Sequence, residues 1–301
     1  MKIFFYSKIN DRLWGGGNQF LKMLKNQFVH HGYYENNPEK ADVLLFNSYQ
    51  DSLALIKSFF IYRRKKIIYR LGPILSLHRR GFKWKFVDFF VVQVANIFAD
   101  LVIFQSDWSY RKSLKFGFHN KNFVVITNTV DTSIFYKKQF INKENNDPIN
   151  LIYTSWSSNE NKGFKYLDFL DKNLDFNKFK MVFIGNSPLA FENIKIIQPL
   201  SSKELSEKLR MSDIYISPTK YDACSNALLE GLSSGLPAVA LRSGGNQEIV
   251  KNGGELFENE HELISQINKV SNNLVSYYEN IYIKSPEEVY QEYMDAILKI
   301  K

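Results

Sequence analysis

The sequence predicts an α/β protein of two strand–helix halves, and three observations carry that expectation. Short apolar runs bounded by Gly, Pro or Asn alternate along the chain with longer runs of helical spacing. At 301 residues the chain is long enough for two domains of ordinary size, each with its own core. A polar, Asn-rich stretch from Lys137 to Pro148 divides it near the middle. A hydrophobic content of 45% with 23% charged residues describes a soluble globular chain and excludes a disordered one. The single cysteine, Cys224, excludes an internal disulfide, fits a reducing compartment and is read as a packing residue. No charged start followed by a short apolar run marks a signal peptide. The most apolar region, 86–104, contains Asp88, Gln93, Asn96 and Asp100 and is not expected to span a bilayer.

The first half opens with a strand at Lys2 to Tyr6, and a turn over 10–17 leads to a helix beginning at Asn18. The joint is Trp14-Gly15-Gly16-Gly17-Asn18, where three glycines let the backbone approach a ligand and aim amides at it. A tight turn with no ligand is the plain alternative. Strands follow at Ala41 to Asn47 and Lys66 to Arg70, the latter running into Leu71-Gly72-Pro73. A charged residue at a strand's carboxyl end belongs on the crevice side of a doubly wound sheet, so Arg70 is a candidate to meet an acceptor or its anionic carrier. The competing reading is an exposed residue in a basic stretch. Further strands are expected at Phe98 to Ser106 and Asn122 to Asn128, with a helix from about Asp107 between them.

The second half opens with a strand at Asn150 to Thr154 and a polar turn, Ser155 to Gly163, before a helix from Phe164 to Leu174. Lys162 therefore stands at the head of a helix, where the dipole disfavours a cation unless an anion is shared with the helix amides. A surface lysine is the bland alternative. Strands at Lys180 to Gly185 and Ile194 to Leu200 precede a helix capped by Ser201 or Ser202, with Glu204 early in it. Asp213 to Pro218 reads as a short buried strand stopped by a proline. Ala238 to Leu241 leads to the turn at Ser243-Gly244-Gly245-Asn246-Gln247-Glu248, and Ser285-Pro286-Glu287-Glu288 caps an amphipathic final helix.

The most informative stretch is Tyr221 to Glu230. Ser225 is a credible N-cap, leaving the amides of Asn226 and Ala227 without intrahelical partners, as a phosphate site after a strand requires. Glu230, one turn inside the helix, is placed to hold sugar or ribose hydroxyls, and Asp222 stands at the mouth of the same pocket. A plain capped helix with a solvated glutamate is the competing reading. The spacing Asp222-x-Cys224-Ser225-Asn226-Ala227-Leu228-x-Glu230, followed by Gly235-Leu236-Pro237 and Gly244-Gly245-x-x-Glu248, resembles a branch of the retaining glycosyltransferases of family 4.

That resemblance implies the GT-B fold: two Rossmann-like domains facing across a cleft, over 1–138 and 147–283, with a C-terminal helix at 284–301 crossing back to the first. It implies a nucleotide-diphosphate sugar, UDP- or GDP-linked, as donor. Asp222 would face the donor sugar and Glu230 the ribose. Lys162 would stabilise the leaving diphosphate together with the amides around Ser225, Asn226 and Ala227. Backbone groups near Leu200 would line the base pocket, and Gly16, Gly17 and Asn18 would approach the donor phosphate and the acceptor. Asp222 and Lys162 are thus the expected catalytic residues. The family's usual arginine before the lysine is replaced near Ser157, leaving Arg242 or Arg70 as alternatives for the second cation. Thr129 replaces a usual glycine in Asn128 to Phe135, the segment resembling the family's end of the N-terminal domain. No metal ion or other cofactor is expected: the scheme needs none, and no Asp-x-Asp cluster is present to hold one.

Charge is uneven. From Lys57 to Lys85 there are ten Lys or Arg residues and no Asp or Glu, against a net charge of +8 for the chain. Aromatics interleave with them, which suits either a solvated basic face or an anionic membrane surface. No nucleic-acid-binding signature accompanies them. The expected partners are a nucleotide sugar, a glycan or lipid-linked acceptor and such a membrane surface. The expected place is the cytoplasm, including the inner face of the membrane. A nucleotide-sugar 2-epimerase of related fold and a non-catalytic nucleotide-sugar or lipid-binding protein are the alternatives.

Overall fold

The computed structural model describes residues 1–7, 9, 16–139 and 147–300. Trp14, Gly15 and most of the Asn-rich stretch lie outside these. The chain forms two compact units, one from Gly17–Thr129 and Lys284–Lys301 with the opening strand, the other from Val130–Ile283. Val130 and Phe135 are buried in the second unit's core, so segment 130–138, assigned by sequence to the first half, packs with the second.

The first unit runs β1 (Ile3–Phe5), α1 (Gly16–His30), β2 (Val43–Asn47), α2 (Ser52–Ile61), β3 (Lys66–Arg70), α3 (Lys83–Phe98), β4 (Leu101–Phe104), α4 (Asp107–Leu114) and β5 (Phe123–Val125). The strands form a parallel sheet in the order β1-β2-β3-β4-β5. Tyr34 adds a single parallel bridge to Ile3, on the edge of β1 away from β2. The chain therefore passes outward from β1 through α1, then returns across β1 to β2. That reversal puts α1 on one face of the sheet and α2 with α3 on the other, each with its own apolar core. The crevice of such a sheet opens at the carboxyl ends of β1 and β2. The final helix shares the core of α1, with Phe28 and Tyr290 rings 5.1 Å apart. Thr129 is buried and donates its hydroxyl to the Lys284 carbonyl, a bond that the usual glycine could not make.

The second unit runs β6 (Ile149–Ser155), α5 (Phe164–Asn173), β7 (Phe179–Gly185), β8 (Lys195–Ile197), α6 (Ser202–Arg210), β9 (Ile214–Ser217), α7 (Asn226–Ser233), β10 (Ala238–Leu241), α8 (Asn246–Val250), β11 (Gly254–Phe257), α9 (Glu260–Ser271) and α10 (Leu274–Glu279). The last helix of the chain is α11 (Pro286–Leu298), entered through the capping box of Ser285 and Glu288. The order β11-β10-β9-β6-β7-β8 is that of a doubly wound sheet whose direction reverses between β6 and β9. β9 and β10 are buried throughout, as apolar runs in a sheet covered on both faces should be.

Gly231 lets α7 lie close on this sheet: a Cβ there would come within 2.5 Å of the Tyr215 ring. Gly231→Ala is expected to lift the helix and cost about 1–3 kcal/mol, read as a lower melting temperature with the fold retained. An unchanged melting temperature would show that the close approach is not needed.

Candidate functional site

The reversal between β6 and β9 brings two loops together. After β6 comes a short 3-10 turn, Glu160–Lys162, then Gly163 in the left-handed region at φ 75°. A Cβ on Gly163 would lie 2.3 Å from the Pro218 carbonyl oxygen, so the loop after β6 is pressed against the loop after β9. The Lys220 amide donates to the Asn161 carbonyl at 2.7 Å. Beneath them, the buried Tyr153 hydroxyl donates to the Lys162 carbonyl at 2.8 Å and lies 3.2 Å from the Thr219 hydroxyl. Burial drives the Tyr153 pKa up, so it remains a neutral donor.

This packing sets the Lys162 ammonium 3.5 Å from an Asp222 oxygen, with both side chains about a quarter exposed. Burial acts against the charged lysine, but attraction to Asp222 and Tyr153 outweighs it and raises the Lys162 pKa. At 3.5 Å the pair is looser than the ~2.7–2.9 Å of a tight charge-assisted bond. The ammonium has three donors, which leaves capacity for an incoming anion.

Asp222 is fixed from the other side. Its carbonyl accepts from the Gly245 amide at 2.8 Å, and Gly244, at φ 62°, has no room for a Cβ beside it. The Tyr221 amide donates to the Ser243 hydroxyl, with Tyr221 itself at φ 59°. Asn246 is fully buried and donates to both the Thr219 and Leu241 carbonyls, tying the loop after β9 to that after β10. Ser225 caps α7 by accepting from the Leu228 amide. One turn on, the Glu230 carboxylate has no protein hydrogen-bond or ionic partner among the described residues. Although part of the residue meets solvent, the surrounding protein desolvates the carboxyl and pushes its pKa up to about 8.

Lys162, Asp222, Ser225, Asn226, Ala227 and Glu230 are thus gathered at one strand reversal or on the first turns of the helix leaving it. Leu200 is half-buried at the end of the segment after β8, just before the Ser201 cap of α6. Gly16, Gly17 and Asn18 form the start of α1, the first unit resuming at Gly17, and a Cβ on Gly17 would meet nothing within 4 Å. Arg70, in the first unit, is only 5% exposed, so the exposed-surface reading does not hold. Its terminal nitrogens donate to the side-chain oxygens of Asn47 and Asn128, and its guanidinium lies over the Phe20 ring at 4.8 Å. Arg242 is held by Glu258 at 3.0 Å and lines a separate polar pocket of about 550 Å³ with Lys251, Lys269 and Tyr277.

Sequence reading missed Tyr153, Thr219 and Asn246. The first two look like ordinary strand and loop residues until β6 and β9 become neighbours. Asn246 carried a signal, an amide directly after a Gly-Gly turn, but the turn was read through Glu248.

An acid whose folded pKa lies above its unfolded value binds more protons folded than unfolded, so stability falls as pH rises between the two values. For Glu230 that window runs from about 4.5 to about 8, and the burial penalty is on the order of a few kcal/mol. Glu230→Gln should therefore flatten the decline in melting temperature from pH 5 to 9 and leave the variant the more stable at the alkaline end. Parallel profiles would contradict the buried, unpaired state.

Residues 151–273, within the second unit, match the profile described as glycosyl transferases group 1. No curated protein matches the chain in sequence. Solved structures match its fold over nearly the whole length. Anabaena HepE in complex with UDP-glucose is 17% identical, covers 99% of both chains and superposes with a TM-score of 0.74. Sucrose-phosphate synthase from Thermosynechococcus elongatus is 12% identical over 99% of this chain and 96% of its own, with a TM-score of 0.72. The lipopolysaccharide outer core galactosyltransferase WaaB is 16% identical over 93% and 80%, with a TM-score of 0.62. Residues 151–273 thus resemble the group 1 glycosyltransferases, and the chain as a whole has the GT-B fold.

Proposed function

We propose that the chain is a retaining glycosyltransferase that moves a sugar from a nucleotide-diphosphate sugar to an acceptor hydroxyl, in assembly of a cell-surface polysaccharide or lipid-linked glycan. The observation that carries this reading is the Lys162 ammonium held beside Asp222 and the capped start of α7, at the reversal point of a doubly wound sheet. A diphosphate seated there meets the ammonium and the first amides of the helix. Glu230, with no protein partner among the described residues, accepts from the ribose hydroxyls, which relieves the cost of its burial.

In the transfer, the bond from the anomeric carbon to the diphosphate oxygen breaks, and positive charge develops on the sugar. Lys162 and the amides stabilise the departing diphosphate. Asp222 orients the sugar. The acceptor oxygen then bonds to the anomeric carbon on the face that the diphosphate leaves, and its proton passes to the departing phosphate oxygen. Retention follows, and no side-chain base or metal ion is required. Gly16, Gly17, Asn18 and Leu200 carry the donor and acceptor contacts of this reading. Arg70, committed to Asn47 and Asn128, contributes by holding the carboxyl ends of its strands in place. The UDP-glucose complex of HepE supports a UDP-linked donor, and the activity named for WaaB supports a cell-surface glycan.

Incubation with labelled UDP- and GDP-sugars and a panel of glycan acceptors tests the reading. It expects transfer, or slow donor hydrolysis, with the anomeric configuration kept. Lys162→Ala should lower turnover by about 10²–10³-fold while keeping the melting temperature within a few degrees. Epimerised donor, or tight nucleotide binding without any product, would overturn it, as would full activity in the lysine variant.

A further inference from the structure

Helix α3 is apolar on two opposite sides. Asp88, Val91, Val92, Val94 and Ala95 face the sheet. On the other side, Phe82, Phe86, Phe89 and Phe90 are exposed, and Phe60 and Ile61 continue the surface on α2, all with 43–68% of their area bare. A helix apolar all round normally has both sides covered. At roughly 200 Å² per aromatic side chain, the five phenylalanines alone leave on the order of 500–600 Å² uncovered. That reaches the upper end of the largest apolar patch on an ordinary monomer.

The rim decides what covers it. Lys57, Arg63, Arg64, Arg79, Lys83 and Lys85 are all exposed, and none pairs with a carboxylate among the described residues. The Arg79 guanidinium lies 4.3 Å from the Trp84 ring centre, and the Lys85 ammonium 5.6 Å from that of Phe82. Cationic heads thus sit beside aromatic bodies, the arrangement that suits a headgroup boundary. Two copies of this face would set like charges against each other, which disfavours a dimer. No helix among the described residues is long and apolar enough to cross a bilayer.

We propose that the α2–α3 face docks in the plane of an anionic lipid surface, phenylalanines inserted at the acyl boundary and the cations at the phosphates.

The carboxyl ends of α2 and α3 meet where Phe59 and Phe98 rings approach to 5.1 Å, so the longer α3 extends past the start of α2. Its leading end lies on the edge of the sheet where β2 and β3 finish. Buried Asp88 fixes that end by accepting from the Leu75 and Ser76 amides, just after β3. The lipid surface therefore adjoins the crevice edge of the first unit. An acceptor carried on a lipid would be presented there, a consequence that rests on the glycosyltransferase reading, whereas the docking does not.

Flotation with vesicles of mixed phosphatidylglycerol and phosphatidylcholine, against phosphatidylcholine alone, tests the docking. The parent protein should float with the anionic vesicles and be released by salt. Lys83→Glu with Lys85→Glu should weaken binding at least about tenfold, and Phe86→Ser with Phe89→Ser should do likewise. Both variants should keep the parent's UDP-induced rise in melting temperature, so a failed donor site is scored apart from a failed surface. No preference for anionic vesicles, undiminished flotation of both variants, or a solution dimer that the phenylalanine variant dissociates would each overturn the proposal.

Discussion

The second unit depends on one close approach: the loop after β6 pressed onto the loop after β9. Only a residue without a Cβ fits at Gly163, where a Cβ would lie 2.3 Å from the Pro218 carbonyl oxygen. The Tyr153 hydroxyl, below, spans both loops through Lys162 and Thr219. Without that contact Lys162 would be an ordinary surface lysine. With it, the cation is held beside Asp222, in a partly buried place where an anion gains more from a charge than it does in open water. The β10–α8 turn completes the frame through Asn246 and Gly244. Three consecutive strand ends are therefore locked before any ligand arrives, which is what electrostatic preorganisation requires.

Glu230 shows the converse side of the same design. Its burial is unfavourable, since desolvation raises its pKa with no donor among the described residues to offset it. A carboxyl in that state favours whatever brings hydroxyl donors to it. Arg70 offers a contrast in the first unit: it is buried at the end of β3, but Asn47 and Asn128 satisfy its terminal nitrogens. Partners for the charged terminal atoms separate the two: Arg70 has them in Asn47 and Asn128, and the Glu230 carboxylate has none among the described residues.

Much of the fold was legible because strand and helix signals agreed with tertiary packing. β3 and β10 fall where their apolar runs predicted, and the capping boxes at Ser201 and Ser285 start α6 and α11. The boundary between halves was less legible. Residues 130–138 carry no strand or helix signal, and only the burial of Val130 and Phe135 assigns them. The bridge at Tyr34 was invisible for a similar reason: one bridged residue leaves no run to read, yet it reverses the sheet's winding. At the candidate site, the residues from Asp222 to Glu230 were picked out by their spacing, and the structure gathers them at one strand reversal or on the helix leaving it. Tyr153, Thr219 and Asn246 did not, since their roles exist only once distant strands are neighbours.

The exposed phenylalanines of α3 were only partly legible, as aromatics interleaved with the basic stretch. Periodicity marks the region 86–104 as apolar, but it cannot say that α3 keeps one apolar side against the sheet and one bare. Hydrogen exchange followed by mass spectrometry tests most directly whether the Lys162–Asp222 site of the second unit receives the donor. Adding UDP should slow exchange in the segments around Lys162 and from Thr219 to Glu230, with the Arg242–Lys251 pocket unchanged. Protection confined to that pocket, or absent from both segments, would contradict the account.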